Sequence, residues 1–204
     1  MKNKSEILTV IWLIYVFSDY FIIPYFVQPF LWLVVCLGLL FFSIVQLIKL
    51  LKKYKSVKTN RIVNLSVTTI LFFLTFYNFN KIPRFFIEKM DWTIFYNKRI
   101  KMIDDVINGT LKSNTKINNG ICELPFEFPI ISNGGNDIWI YRNKDNNTRT
   151  IKFWISRGFF ESPQTYFIFT NDEETKIHYQ KLINSKPEFN WKLEKNWYRI
   201  MERD

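Results

Sequence analysis

A chain of 204 residues, 48% hydrophobic and 23% charged, is long enough for one membrane unit and one small domain. Its two cysteines, Cys36 and Cys122, exclude a disulfide framework and a cysteine-type metal site. The net charge of +10 is uneven: residues 1–84 hold ten Lys/Arg and two acids, the remainder 18 and 16, so no basic stripe marks a nucleic-acid binder.

The first apolar stretch, Ile7 to Ile23, is interrupted by Thr9, Ser18 and Asp19 and is short for a membrane span. No small-residue cleavage site follows it, which argues against a signal peptide. Asp19 lies five residues before Pro24, so it reads as an interfacial, solvated carboxylate rather than an intramembrane one. Tyr20, Tyr25, Phe26, Phe30 and Trp32 cluster around Pro24 and Pro29, as aromatic residues do at a membrane boundary.

The longest apolar run comes next. From Phe30 to Ile48 only Ser43 and Gln46 are polar. About 20 such residues span the hydrocarbon core as a helix, the form that satisfies its own backbone in lipid. Lys49, Lys52, Lys53, Lys55, Lys58 and Arg61 follow at once, and short loops rich in these residues stay in the cytoplasm. Ile62 to Phe79 reads as a third span. Its Asn64, Ser66, Thr68, Thr69 and Thr75 are suited to close packing against the first two helices.

The sequence therefore predicts three transmembrane helices, at about 7–23, 30–51 and 62–79, within a transmembrane region 1–84. The basic loop and Lys2/Lys4 put the N-terminus inside. Three spans then carry residues 85–204 to the outer side of the cytoplasmic membrane of a bacterial envelope. The competing count is two spans, with the first stretch in the interface and the second part inside.

Residues 85–204 read as a small α+β domain with an antiparallel sheet. Trp92, Tyr96, Ile100, Ile103, Ile107 and Leu111 recur at spacings of three and four, one helical stripe that Asn108-Gly109 is suited to end. Period-two alternation follows at Ile121–Leu124, Ile138–Arg142, Arg149–Ser156 and Thr165–Thr170. Thr170 with Glu173 three residues on predicts a capping box, then a helix to about Ser185 that Pro187 stops. Trp191 to Met201 reads as one last strand.

Candidate chemistry is sparse. His178 is the single histidine and needs an orienting carboxylate and a nucleophile to act as a base; a plain helix residue is the simpler reading. Asp172, Glu173 and Glu174 suit the positive end of a helix rather than a metal. Gly134-Gly135 is followed by a strand, whereas a phosphate loop opens a helix. Glu123, Glu127 and Glu161 show no spacing that singles out a pair for glycoside chemistry. The glycosylation patterns at Asn64, Asn108 and Asn146 are those expected of an Asn-rich chain. No catalytic, cofactor-binding or metal-binding residue is assigned. The unusual loop is Arg157 to Pro163, where Phe159 and Phe160 stand between a Gly and a Pro, either as a corner closing the sheet or as an exposed contact for a partner.

The blocks Ile138-Trp139-Ile140-Tyr141-Arg142, Ile151-Lys152-Phe153-Trp154 with Arg157-Gly158-Phe159-Phe160, and Tyr166-Phe167-Ile168-Phe169-Thr170 resemble a group of small, uncharacterised bacterial membrane-anchored proteins. The likeness covers roughly the last third of the chain and brings no catalytic residues with it. It implies membership of that group and no particular activity; some members are suspected of lying beside secreted-toxin genes, as membrane-bound immunity proteins would.

The expectation is a non-enzymatic binding module held in the lipid bilayer, with a protein partner in the envelope and no nucleic acid. A subunit acting through its spans, by the Ser/Thr face of the third, is the alternative. An envelope hydrolase requires a cleft around His178 or a carboxylate pair.

Overall fold

A computed structural model describes residues 4–23, 26–52, 59–77, 82–116, 118–125, 130–133, 136–143, 147–157 and 163–202, leaving aside the side chains of 82–84. The chain divides into two compact units, Met1–Lys89 and Met90–Asp204.

The first unit holds helices α1 (Lys4–Phe21), α2 (Gln28–Lys52) and α3 (Thr59–Phe76). Two of them, α2 and α3, are long and apolar enough to cross a membrane, which points to membrane association. The expected third, α1, carries Lys4, Glu6 and Asp19 within its 18 residues and falls short of the same measure.

On α1 and α3 the polar side chains Ser5, Asp19, Thr68 and Thr75 are buried while the exposed faces are largely apolar. On α1, Ser5, Trp12, Val16, Asp19 and Tyr20 are buried, while Ile7, Val10, Ile11, Leu13, Ile14 and Phe17 are exposed. On α3, Thr68, Leu71 and Thr75 are buried, while Ile62, Val63, Ile70, Phe73 and Phe76 are exposed. A water-soluble bundle shows the reverse arrangement. Where lipid is the solvent, polar side chains turn inward to find partners. Asp19 accordingly departs from its solvated reading: it is 2% exposed, on the same stripe of α1 as Trp12 and Val16.

Thr75 is the node of the unit. Trp12 Nε1 of α1 donates to its Oγ1 at 2.8 Å, and Trp32 Nε1 of α2 donates to its carbonyl at 3.0 Å. Its own hydroxyl donates to the Leu71 carbonyl at 2.7 Å. The helix α3 packs against both α2 and α1. Thr75→Val keeps the shape and removes the hydroxyl. It is expected to destabilise this unit by about 0.6 to 1.7 kcal/mol, whereas Thr75→Ser is near neutral. Unfolding of the full chain in mixed detergent micelles, followed by helical circular dichroism, measures this; equal stability of the Val variant would remove the node.

Helix α4 (Ile82–Ile107) carries the chain into the second unit, with Pro83 in its first turn. There follow β1 (Ile121–Glu123), β2 (Asp137–Arg142), β3 (Arg149–Ser156), β4 (Gln164–Thr170), α5 (Glu173–Ser185), β5 (Trp191–Glu194) and β6 (Trp197–Glu202). The six strands form one sheet in the order β1-β2-β3-β4-β6-β5, antiparallel throughout. The expected α+β layout is present. The expected single strand 191–201 is instead a hairpin, turned at Lys195-Asn196.

Strand alternation gives the sheet two apolar faces, and each takes a helix. Trp154, Tyr166, Ile168, Tyr198 and Ile200 form one face and pack with Tyr179, Leu182 and Ile183 of α5. Phe153, Phe167 and Trp197 form the other and meet Trp92, Tyr96 and Arg99 of α4. The buried stripe of α4 includes Arg99, Ile103 and Val106, so Ile107, expected on the stripe, is 45% exposed. The cap of α5 is Asp172 rather than Thr170: Asp172 Oδ2 accepts from the Thr175 N–H at 3.0 Å. The Thr170 hydroxyl is engaged with Thr150 across the sheet, at 2.8 Å.

Candidate anion-binding cleft

A cleft of about 470 Å³ opens in the second unit where α4 ends beside the outer part of the sheet. Gly109, at φ 76°, closes α4 in the left-handed conformation that favours glycine. The chain then turns through Leu111, Lys112 and Ser113, which form one wall with Val106. The turn Asn118–Gly120 forms the rim before β1. Trp139, Ile140, Tyr141 and Arg142 of β2 line the cleft, and Arg149 of β3 completes it.

Gly120 is there because the backbone must come close to an indole. A Cβ at this position would meet Trp139 Nε1 at 2.9 Å, and the Ile140 N–H donates to the Gly120 carbonyl at 2.6 Å. The β1 strand pairs β2 only from Asp137 to Trp139, so Tyr141 and Arg142 project beyond it. Tyr141 is 57% exposed.

Three cations from separate segments share this cleft: Lys112, Arg142 and Arg149. Arg142 and Arg149 are register partners on paired strands, where like charges oppose each other. Asn147, at φ 57°, holds them together. Its Oδ1 accepts from Arg142 Nη2 at 2.7 Å and from Arg149 Nη1 at 3.2 Å. Arg149 Nη1 also donates to the Asn147 and Thr148 carbonyls, at 3.0 and 3.2 Å. Among the described residues no Asp or Glu lines the cleft, and no salt bridge reaches these three cations. Burial, with Arg142 beside it, pushes the Arg149 guanidinium below its ordinary value. Among the described residues the pair is held together by an amide oxygen and two backbone carbonyls.

The residues singled out in the sequence lie elsewhere. Phe159 and Phe160 fall outside the described residues, as do Gly134, Gly135, Glu127 and Glu161. His178 is exposed on α5, at a second groove with Phe189, Met201 and Glu202. Glu202 is held there by Lys152 at 2.6 Å. Glu123 is exposed on β1. No group of three or more His, Cys, Asp or Glu that suits a metal ion occurs among the described residues.

Near the cleft, Cys122 of β1 is fully buried, and its thiol is pushed up by burial and then by Asp137 and Glu123. In a Cys36→Ser background the native protein is expected to resist an aromatic disulfide reagent at pH 8 and to react once urea unfolds it. Full labelling before unfolding would show that β1 opens.

No protein-family description matches the chain, and no curated protein or solved structure is significantly similar to it.

Proposed function

We propose that this is a three-span protein of the bacterial cytoplasmic membrane, with its N-terminus inside. Its second unit stands outside the cytoplasm as a non-enzymatic binding module for an anionic partner. The convergence of Lys112, Arg142 and Arg149 on one cleft, with Asn147 holding the two arginines together, carries the binding reading. Clustered cations are recognition chemistry, and a cleft with no carboxylate among its described lining residues favours an anion. For α1 as a span, the support is its exposed face of Ile7, Val10, Ile11, Leu13, Ile14 and Phe17, with Asp19 turned inward. The orientation rests on Lys49 to Arg61. Action through the Ser/Thr face of α3 is less supported, because Thr68 and Thr75 are already buried within the unit.

Topology is tested with a single cysteine at Lys186, which is exposed. In a cysteine-free background, Lys186→Cys is expected to react with a membrane-impermeant maleimide in intact spheroplasts. Reaction only after permeabilisation would place the module in the cytoplasm and leave two spans. Binding is tested with a photo-reactive residue at Tyr141 in living cells. Intact-mass analysis is expected to show an adduct that disappears when Arg142 and Arg149 are both replaced by Glu. An adduct formed only from the corresponding probe at Ile70 would transfer the function to the spans.

A further inference from the structure

We infer that the anion taken by this cleft is a phosphate ester, carried on a compact organic group that lies against Val106, Leu111 and Ile140. The inference rests on the reading of the cleft as a binding site and names its ligand class.

Charge comes first. Lys112, Arg142 and Arg149 bring three positive charges to one cleft, with no carboxylate among its described lining residues. A phosphate monoester carries about −1.5 to −2 at neutral pH, against −1 for a carboxylate, and so answers more of that charge at a single point. Geometry is the second ground. Guanidinium groups offer planar forks that match phosphate oxygens, and here two are preset by one side chain. Asn147 Oδ1 accepts from both Arg142 and Arg149, at 2.7 and 3.2 Å. The side chains are therefore ordered before a ligand arrives, which lowers the entropy lost on binding.

Size is the third. About 470 Å³ lies inside the usual range of small-molecule sites and is small for a folded partner. Val106, Leu111 and Ile140 also line it and supply an apolar wall for the part of the ligand that is not phosphate.

The test uses the full chain in detergent micelles and titration calorimetry. The probes are inorganic pyrophosphate, adenosine diphosphate and poly-glutamate. Both phosphate probes are expected to bind saturably, the diphosphate more tightly because its organic part meets Val106, Leu111 and Ile140. Arg142→Ala and Arg149→Ala each weaken binding about tenfold, as loss of a charged hydrogen bond does. Arg142→Lys and Arg149→Lys recover only part of this, and Asn147→Ala gives an intermediate loss. Near-complete rescue by Lys would show that charge alone acts and would overturn the phosphate geometry.

If poly-glutamate binds more tightly than pyrophosphate and depends on the same arginines, the ligand is an acidic polypeptide. The phosphate inference then falls while the binding module stands. If no anion binds, both fall. A further arm places the chain in nanodiscs of phosphatidylcholine with or without phosphatidic acid. Loss of diphosphate binding only with phosphatidic acid identifies a lipid headgroup as the source; unchanged binding identifies a soluble phosphate ester.

Discussion

Arg99→Met is expected to destabilise the second unit by about 3–5 kcal/mol, the cost of breaking one side of a buried ion pair. Arg99 is 1% exposed and Asp91 3%, about two turns apart on α4. Arg99 Nη2 donates to both Asp91 carboxylate oxygens at 2.9 Å and to the Ile131 carbonyl at 3.0 Å, and Nη1 donates to the Asp91 carbonyl at 3.2 Å. Its guanidinium carbon stands 4.7 Å from the Phe167 ring centroid and 5.8 Å from that of Phe153. Met fills the apolar slot but leaves the Asp91 carboxylate buried without its guanidinium. Asp91→Leu combined with Arg99→Met removes both charges and is expected to recover most of the loss, because paired charges repay their desolvation only in part. Urea unfolding of the full chain, followed by tryptophan fluorescence, reads both. Similar losses in the single and double variants would show that the packing of Arg99, rather than its charge, supports the unit.

Tyr179→Ala is expected to have a comparable effect, about 3–5 kcal/mol, because a large buried ring leaves a cavity. Tyr179 is 3% exposed at the contact between α5 and Trp154, Tyr166, Ile168, Tyr198 and Ile200, and its ring lies 5.6 Å from that of Tyr198. The same burial sets an alkaline limit. Burial, then the neighbouring Glu202 and Tyr166, raise the Tyr179 phenol well above its ordinary value. The folded state therefore keeps this proton where the unfolded state, near the ordinary value of about 10, has lost it. The resulting stability is complete below pH 10 and is lost progressively as pH rises above it. Tyr179→Phe cannot ionise and is expected to flatten that decline in urea midpoints taken between pH 9 and 11. An identical slope in the Phe variant would assign the alkaline loss to another group.

How much of this was legible varies by element, for physical reasons. β2, β3 and β4 were readable because alternation is a local property, and the boundaries of β3 agree to the residue. The last hairpin was not, because its turn, Lys195-Asn196, contains neither Gly nor Pro. The cap of α5 was displaced by two residues. Thr170 and Asp172 are both capping types, and only the sheet commits the Thr170 hydroxyl to Thr150. Arg99 was passed over on the α4 stripe since its type reads as solvent-facing. The rings that enclose it, Phe153 and Phe167, lie more than fifty residues away in sequence.

The candidate cleft was illegible for a related reason. Lys112, Arg142 and Arg149 are unremarkable in order along a basic chain. Asn147 falls in a polar hairpin loop where any small polar residue would have read the same way. The signal that was present, Gly120 beside a strand carrying Trp139, gains meaning only when the indole is seen against it.

By itself the sequence determined the solvent of each part: apolar helices and a lysine cluster for the first unit, alternating strands for the second. Periodicity and composition act between near neighbours, so they survive in one dimension. Tertiary structure alone decided that α1 turns Asp19 inward, that Thr75 joins three helices, and that three cations meet at one cleft. Such convergence depends on strand order and register, and no local spacing records it.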